Sequence, residues 1–526
     1  MSMRLAGTSA VLLGALAAAG EITGAAIPTA RWFFETSRQV PWLHTGAAGG
    51  GFPWFGWLSV ALLAGGGAWM LFRSFTRGPA NPLTARRIKR FREIKRGYYS
   101  LIILMALGGL AALDQALVGK QALAVHYQGR WVFPAFRAVA MKNKDFGVTG
   151  ESPEAPVNYR KLAKILRGTG QGRVIMPLIP FDPTGDTLPP RSRPLVRRDD
   201  GLYYEPGARK PYFGLAARYH DVDEARIHIR HTLRGGVPSG PADGWSADGS
   251  PVYSAEYREG EPVSENYSGA GDKESFLTAG TGGLRAVKYH PAPPIPEEGN
   301  WLGTTSQGYD LLANLYGGLQ VNFKAALLYL PVVYLIGVTL GMMMGYFGGW
   351  FDLAMQRVIE IFSNMPFLFV VIIFSSMVPD RFKGLPVIMT ILIAFGWMGM
   401  TFLMRTAAYR DKERDYIAAA RVLGAGAPRI LFRHLLPNTV AIIVTLVPFT
   451  VSGLIFALTS LDYLGFGLPP EYATWGRLLN DGLSNLSAPW LVTSTFAALV
   501  GLLVLITFIG EAVREAFDPK KFAYYK

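Results

Sequence analysis

The chain has 526 residues, half of them hydrophobic, and 52 Lys and Arg against 38 Asp and Glu give it a formal net charge of +14. In a soluble protein that balance points to nucleic acid. Here the basic residues stand beside long apolar runs with no basic–aromatic ladder to stack bases, so the membrane surface accounts for them and no nucleic-acid partner is expected. There is no cysteine, which excludes disulfides and thiolate metal sites.

From the N-terminus, residues 6–28 are Ala/Gly-rich and interrupted by Glu21. They read as a weak span or as a signal peptide with Arg4 in its basic region. The uncleaved span is favoured, because Gly/Ala faces suit helix packing in lipid. Residues 52–72 form a clearer span anchored by Trp54, Phe55 and Trp57 at one end. The stretch 73–96, with Arg86, Arg87, Lys89, Arg90, Arg92 and Lys95, is basic and therefore cytoplasmic, and a span at 99–118 leads outward. Residues 120–300 hold no spanning run. Their Pro, Gly and scattered aromatics indicate an inserted extracytoplasmic domain, mixed α/β or β-rich, in which 225–230 alternates polar and apolar as a half-exposed strand does. His220, Asp221, Asp223, His228 and His231 are the only metal-like grouping, and His228 and His231, three apart on a strand, face opposite sides. No metal site is expected. No Ser-His-Asp set, paired carboxylates or Gly-x-x-x-x-Gly-Lys-Ser/Thr loop stands out, so no catalytic residue is assigned and ATP is not expected to bind this chain.

Five more spans follow at about 322–346, 359–378, 385–404, 436–459 and 490–510. With 99–118 they make six core spans, plus one or two at the N-terminus, in an all-α polytopic membrane fold. Basic residues place 405–437 and the tail 514–526 inside, with 379–384 and 461–489 outside. The expected partition is an N-terminal extension 1–80, a basic segment and first core span 81–119, the insert 120–300, and a core domain 301–526. Ser363, Asn364, Met365 and Pro366 interrupt an apolar span and either line a pore or merely kink the helix. Met342, Met343 and Met344 read as packing, and Arg357 and Glu360 as a pair.

The most informative stretch is 415–438, DYIAAARVLGAGAPRILFRHLLPN, a polar Arg-bearing segment between two apolar runs. Ala418, Ala419 and Ala420 offer a small helical surface on a short helix at about 413–424, and Gly424 ends it. A second short helix is expected from Pro428, with Pro437 and Asn438 opening the next span. This segment resembles the EAA loop of ABC importer permeases: Ala419, Ala420, Gly424, Leu436 and Pro437 fall on the pattern. Ala418 stands where an acidic residue is common and His434 where Ile is usual, replacements the peptide-transporter branch shares.

Further stretches resemble dipeptide and oligopeptide permeases. Asn300-Trp301-Leu302-Gly303-Thr304, followed by Gly308, Asp310 and Gly317, is similar to one signature; Thr305 and Tyr309 depart from it. Leu461 to Pro469, with Gly465 and Gly467, then Trp475-Gly476 and Ala488-Pro489-Trp490, resembles the outer loop. The stretch 508–519 looks closest to the second permease subunit of microcin C and oligopeptide importers. The likeness covers about 83–140 and 283–522, not 1–80, and 140–283 poorly. It implies a type I ABC importer permease in the bacterial inner membrane, forming half of a peptide pore with a second homologous permease. A cytoplasmic ATPase, carrying ATP and Mg, would bind through Arg414, Tyr416, Ala418 to Arg421, Gly424, His434, Leu436 and Pro437, and a periplasmic peptide-binding protein would deliver substrate. A membrane-anchored extracytoplasmic binding or sensor protein would account for the insert but not for the ordered 415–438 segment. An ion-coupled transporter would place charged residues near mid-membrane, where these spans are nearly free of them.

Overall fold

The computed structural model describes residues 3–39, 45, 51–76, 82–137, 140–148, 152–170, 172–188, 191–220, 226–279, 281–288, 290–296, 299–379 and 382–517. By contact they form two units, one of Met1–Asp186, Ile295–Leu302 and Tyr309–Lys526, the other of Thr187–Pro294 and Gly303–Gly308.

The first unit is built around the helix Leu311–Phe347, 37 residues long, or about 55 Å at ~1.5 Å per residue. Asp310 starts it: its carboxylate accepts the Ala313 N–H at 2.8 Å and the Asn300 side-chain amide, capping donors the first turn leaves unpaired. Val321, Ala325, Tyr329 and Val333 recur every fourth residue and bury one face against Val371, Leu385, Ile388, Leu392, Leu454 and Leu458. Lower down, Gly337, Gly341 and Gly345 recur at the same spacing. A Cβ on Gly341 would lie 2.4 Å from the Thr401 carbonyl oxygen, and one on Gly345 2.5 Å from that of Arg405. Only glycine allows the helix Met398–Asp411 so close, the small-residue packing that apolar helices need when hydrophobic burial does not drive them together. Met342 and Met344 are fully buried beside this seam, as packing residues.

Among the described residues, five helices are long and apolar enough to cross a membrane: Trp54–Phe75, Leu311–Phe347, Leu385–Asp411, Ala427–Tyr463 and Pro489–Phe517. Several expected boundaries are corrected. The single span at 359–378 is two helices, Gly349–Ser363 and Phe367–Met377, bent by 81°. Pro366 has no N–H to continue the ladder, and its ring excludes the preceding helical turn. The span at 99–118 is a helix only over Lys95–Ala112; Asp114 then takes a positive φ of 47° and opens a tight turn. The first helix stops at Thr23, where Gly24 turns left-handed. It packs along Trp54–Thr76 through Gly7, Gly14 and Gly67, whose added Cβ atoms would lie 2.8–3.1 Å from the facing helix. Arg405 and Arg410, expected in a loop, lie on the helix Met398–Asp411.

Residues 120–186 group with the helices. They hold a three-stranded antiparallel sheet, Ala124–Tyr127 between Arg130–Val132 and Gly172–Ile175. The helix Tyr159–Thr169, capped by Asn158, covers it.

The second unit is a seven-stranded antiparallel sheet in the order Glu261–Tyr267, Pro251–Arg258, Val237–Trp245, Ile227–Arg234, Gly214–Tyr219, Thr281–Lys288, Arg191–Pro194. The alternating stretch found in the sequence is its central strand Ile227–Arg234; Ala225 lies outside the described residues. In register, Ile229 faces Gly244 and His231 faces Ala242. Ala216, Ile229, Leu233, Ala242 and Tyr253 are buried on it.

Candidate functional site

The 415–438 segment folds as a short helix Asp415–Val422, a left-handed Gly424 with φ of +80°, and a helical run from Ala427. A helix begins beside Pro428 and the next begins beside Pro437, as expected, but no break separates them. Ala427–Arg429 continues through a wide turn at Ile430–Leu435 into Leu436–Tyr463. The Leu436 N–H donates to the Leu431 carbonyl, five residues back. Pro437 has no N–H for the ordinary ladder, so widening the turn ahead of it costs little.

The short helix is pinned on one side. Ile417 is fully buried and Ala420 nearly so. Ile417 joins Val338, Met342, Met400, Met404, Ile430, Leu431 and Leu435 in one cluster, with Tyr416 and Leu436 packed against it. Three successive alanines cannot share a face at 100° per residue, and Ala420 turns inward while Ala418 and Ala419 face out. The outer side continues in two residues that sequence reading passed over, Val422 at 88% and Leu423 at 85% exposure. The signal was available: two large apolar residues directly before a helix-ending glycine in an otherwise polar segment.

Charged residues fix the surroundings. Asp352, 3% exposed, receives both Nε and Nη2 of Arg405, the latter at 2.7 Å, and the Tyr409 hydroxyl at 2.6 Å. A buried carboxylate matched by a two-pronged guanidinium and a phenol is satisfied and rigid. Asp411 holds Arg410 at 2.9 Å and Arg414 at 3.2 Å. Arg421 lies over the Tyr346 ring at 5.3 Å, tying the short helix to the end of Leu311–Phe347. The Tyr416 hydroxyl is buried without a hydrogen-bond partner among the described residues. His434 is half-buried, and its carbonyl accepts the Asn438 amide at 3.0 Å. Pro437 is exposed.

The other signature residues, Trp301 apart, are explained by packing and backbone geometry. Trp301 is exposed. In the second unit, Gly303 has a φ of +87°. Thr304, fully buried, accepts the Ala292 N–H at 2.7 Å and meets His290 Nδ1 at 2.7 Å. His290 Nε2 contacts the Leu188 carbonyl, which only accepts, so Nε2 carries the proton and Thr304 donates to Nδ1. In the first unit, Gly465 has a φ of +81°. A Cβ on Gly467 would lie 1.9 Å from Asp462 Oδ1, the oxygen that accepts the Leu468 N–H at 2.7 Å. The Pro469 carbonyl then accepts the Tyr472 N–H at 3.0 Å, closing a turn.

At the helix break, Asn364 ends one helix and Pro366 begins the next. The Ser363 hydroxyl reaches Met398 Sδ at 3.7 Å. Arg357 and Glu360 form an ion pair. In the sheet unit, His220 and His228 lie 3.3 Å apart, and His228 also meets the Phe276 carbonyl. His231 packs on Tyr257, and burial pushes its pKa down to about 4. Asp221 and Asp223, weighed with these histidines, lie outside the described residues, as does the tail from Asp518.

Residues 337–522 match the family described as "Binding-protein-dependent transport system inner membrane component". The chain is 32% identical over 441 residues to the inner membrane ABC transporter permease protein YejE of Escherichia coli, covering 84% of this chain and 98% of that one. It is 43% identical over 222 residues to the peptidoglycan transport system permease protein YejE of Agrobacterium fabrum, 42% of this chain and 58% of that protein's length. It is 32% identical over 227 residues to the dipeptide transport system permease protein DppC of Bacillus subtilis, 43% of this chain and 70% of that one.

Proposed function

This chain belongs to the family of binding-protein-dependent transport system inner membrane components, and from that premise we propose how its surfaces are used. It is a multi-pass inner-membrane permease subunit of the peptide ABC-transporter type and not itself an enzyme; ATP hydrolysis lies in separate subunits. The proposed arrangement pairs it with a second homologous permease to complete the pore. A cytoplasmic ATPase pair carrying ATP and Mg and a periplasmic binding protein complete the assembly, and lipid surrounds it. Peptides are the proposed substrate, in keeping with the dipeptide system named for one relative and with the resemblance to microcin C and oligopeptide importers. Six core spans are reached by counting Lys95–Ala112 and the broken pair Gly349–Ser363 with Phe367–Met377 as one span each. The insert 120–300 faces the periplasm in this reading, and its part 140–283 serves as a docking surface for the binding protein or a lid above the pore. The break at Ser363, Asn364 and Pro366 lines the pore.

One observation carries the coupling site: a helix anchored by Ile417 and Ala420 presents Ala418, Ala419, Val422 and Leu423 to solvent. Small and apolar side chains at a helix end permit close approach of a partner, and Arg414 and Arg421 supply charged contacts at the rim. Because the same cluster holds Leu311–Phe347 and Met398–Asp411, a displacement of the short helix moves both as a rigid body. That is how ATPase closure is transmitted to an alternating-access pore.

The test is a mild-detergent pull-down of the tagged chain from its native membrane, with Gly424→Trp beside it. A Cβ on Gly424 meets nothing within 4 Å, so the substitution costs the permease only the left-handed strain of about 1–2 kcal/mol while its indole occupies the partner's approach. The expected result is recovery of an ATPase and a second permease with the parent chain, and loss of the ATPase alone with the variant. Full ATPase recovery with Gly424→Trp would remove this segment as the coupling site.

A further inference from the structure

A polar pocket of about 350 Å³ lies in the first unit, walled by the N-terminal extension, the turn after Lys95–Ala112, the long helix and the loop at 471–473. Gly317, Gln320, Val321 and Lys324 line it from one face of Leu311–Phe347, being spaced i, i+3, i+4 and i+7. Most of its charges are already matched. Asp114 is held by Arg31 Nε at 2.7 Å and by the Gln320 amide at 3.1 Å. Glu35 faces Arg31 at 3.5 Å. Asp182 accepts two backbone N–H groups of its own turn, at 3.1 and 2.7 Å, and Lys120 donates to the Gly185 carbonyl at 3.0 Å.

Two groups of opposite sign are left. The half-buried Lys324 ammonium rests over the Trp32 ring at 4.2 Å and has neither an ion pair nor a hydrogen bond among the described residues. The Glu471 carboxylate has none either, although its backbone carbonyl accepts the Thr184 hydroxyl at 3.0 Å. The two do not pair with each other. Glu35 and Asp114 act on Lys324 only through space, since both face Arg31, so the half-buried ammonium keeps room for a directly bonded anion. With the exposed Glu471 carboxylate at the rim, the cavity offers one site of each sign to a solute carrying both.

We propose that this pocket binds the termini of a short zwitterionic peptide, its carboxylate on Lys324 and its ammonium toward Glu471. The inference rests on the peptide reading above and extends it, since part of the wall, Arg31 and Glu35, comes from the N-terminal extension. The pocket is then a station for substrate within the permease, separate from any binding protein.

The test uses the permease–ATPase complex purified from its native membrane into phosphatidylcholine nanodiscs, without binding protein. Equilibrium binding of trialanine is compared with that of its C-terminal amide and its N-acetyl form. The expected result is at least about tenfold tighter binding of trialanine than of the amide. That preference disappears in Lys324→Met and returns in Lys324→Arg. Glu471→Gln removes the preference over N-acetyl-trialanine and leaves the preference over the amide. Equal affinities in the parent complex, or an unchanged preference in Lys324→Met, would overturn the proposal. So would a pocket held by lipid, seen as phosphatidylethanolamine retained by the parent complex and lost from Lys324→Met with peptide binding unaltered. Uptake of the same peptides by the whole transporter with its binding protein separates the two levels. Absence of uptake for every peptide defeats the peptide reading, whereas normal uptake without terminus-dependent binding defeats only the pocket.

Discussion

Replacing both Val422 and Leu423 by Asp tests the coupling surface at the two residues sequence reading passed over. At 88% and 85% exposure they contribute little to the fold of this chain, so the permease itself should change by about 0.5 kcal/mol or less. Burying a Val or Leu fully is worth ~1.5–3 kcal/mol each. If an ATPase groove covers both, losing them and desolvating two carboxylates weakens association by about 4 kcal/mol, or roughly 1,000-fold. The assay is ATPase titration onto detergent-solubilised permease, read by co-elution, alongside thermal melting of the permease alone. The expected pattern is unchanged melting with co-elution lost. Ile417→Asp supplies the contrast: Ile417 is fully buried within the helical core, so that variant should lower melting and co-elution together. Co-elution of the double variant within threefold of the parent would refute the reasoning, because no partner could then be covering these side chains.

Three further outcomes follow from packing and charge. Gly341→Leu places a Cβ 2.4 Å from the Thr401 carbonyl and should destabilise the helix pair by about 2–3 kcal/mol. Gly453→Leu, with nothing within 4 Å, should be tolerated; equal melting of the two variants would contradict the glycine seam. Asp310→Ala removes the cap on Leu311–Phe347 and the acceptor of the Asn300 amide, at a cost of about 2 kcal/mol. Asp310→Asn should recover most of it in the same melting assay. His231 is held neutral by burial, with its pKa at about 4 against the usual 6.5. The unfolded chain therefore takes up the proton first: stability is intact above pH 6.5 and drains toward pH 4, by about 3 kcal/mol at most. Burial pushes His228 in the same direction. Hydrogen-exchange protection of Ile227–Arg234, corrected for intrinsic rate, should fall over that range and fall less in His231→Gln; an identical fall in the variant would assign the effect elsewhere.

What the sequence made legible were features set by local chemistry. Most of the apolar runs of spanning length, the Gly424 stop and the alternation around Ile229 follow from neighbouring residues, and each has a counterpart in the structure. The Gly/Ala content of the first helix foretold its close packing, which is on Trp54–Thr76. What stayed illegible depends on residues far apart in the chain. Arg405 and Arg410 read as loop charges because an arginine at the end of an apolar run normally marks its boundary. Arg405 instead stays helical because Asp352, 53 residues earlier, neutralises it. The end of the Lys95–Ala112 helix is likewise set from a distance, since Asp114 is buried only where Arg31 and Gln320 meet it.

The same distinction separates the two proposed sites. The proposed coupling helix lies within one short stretch, and its two faces, Ile417 with Ala420 and Ala418 with Val422, are produced by helical spacing alone. The peptide pocket is assembled from segments spread between Arg31 and Ala473, and no window of sequence contains it. Lys324 reads in isolation as an ordinary boundary lysine on an apolar helix. Only when the matched charges around it are subtracted do it and Glu471 remain as an unpaired couple. Under the two proposals, the pocket wall can change through the N-terminal extension or the loop at 471–473 without altering the proposed ATPase contact on Asp415–Val422.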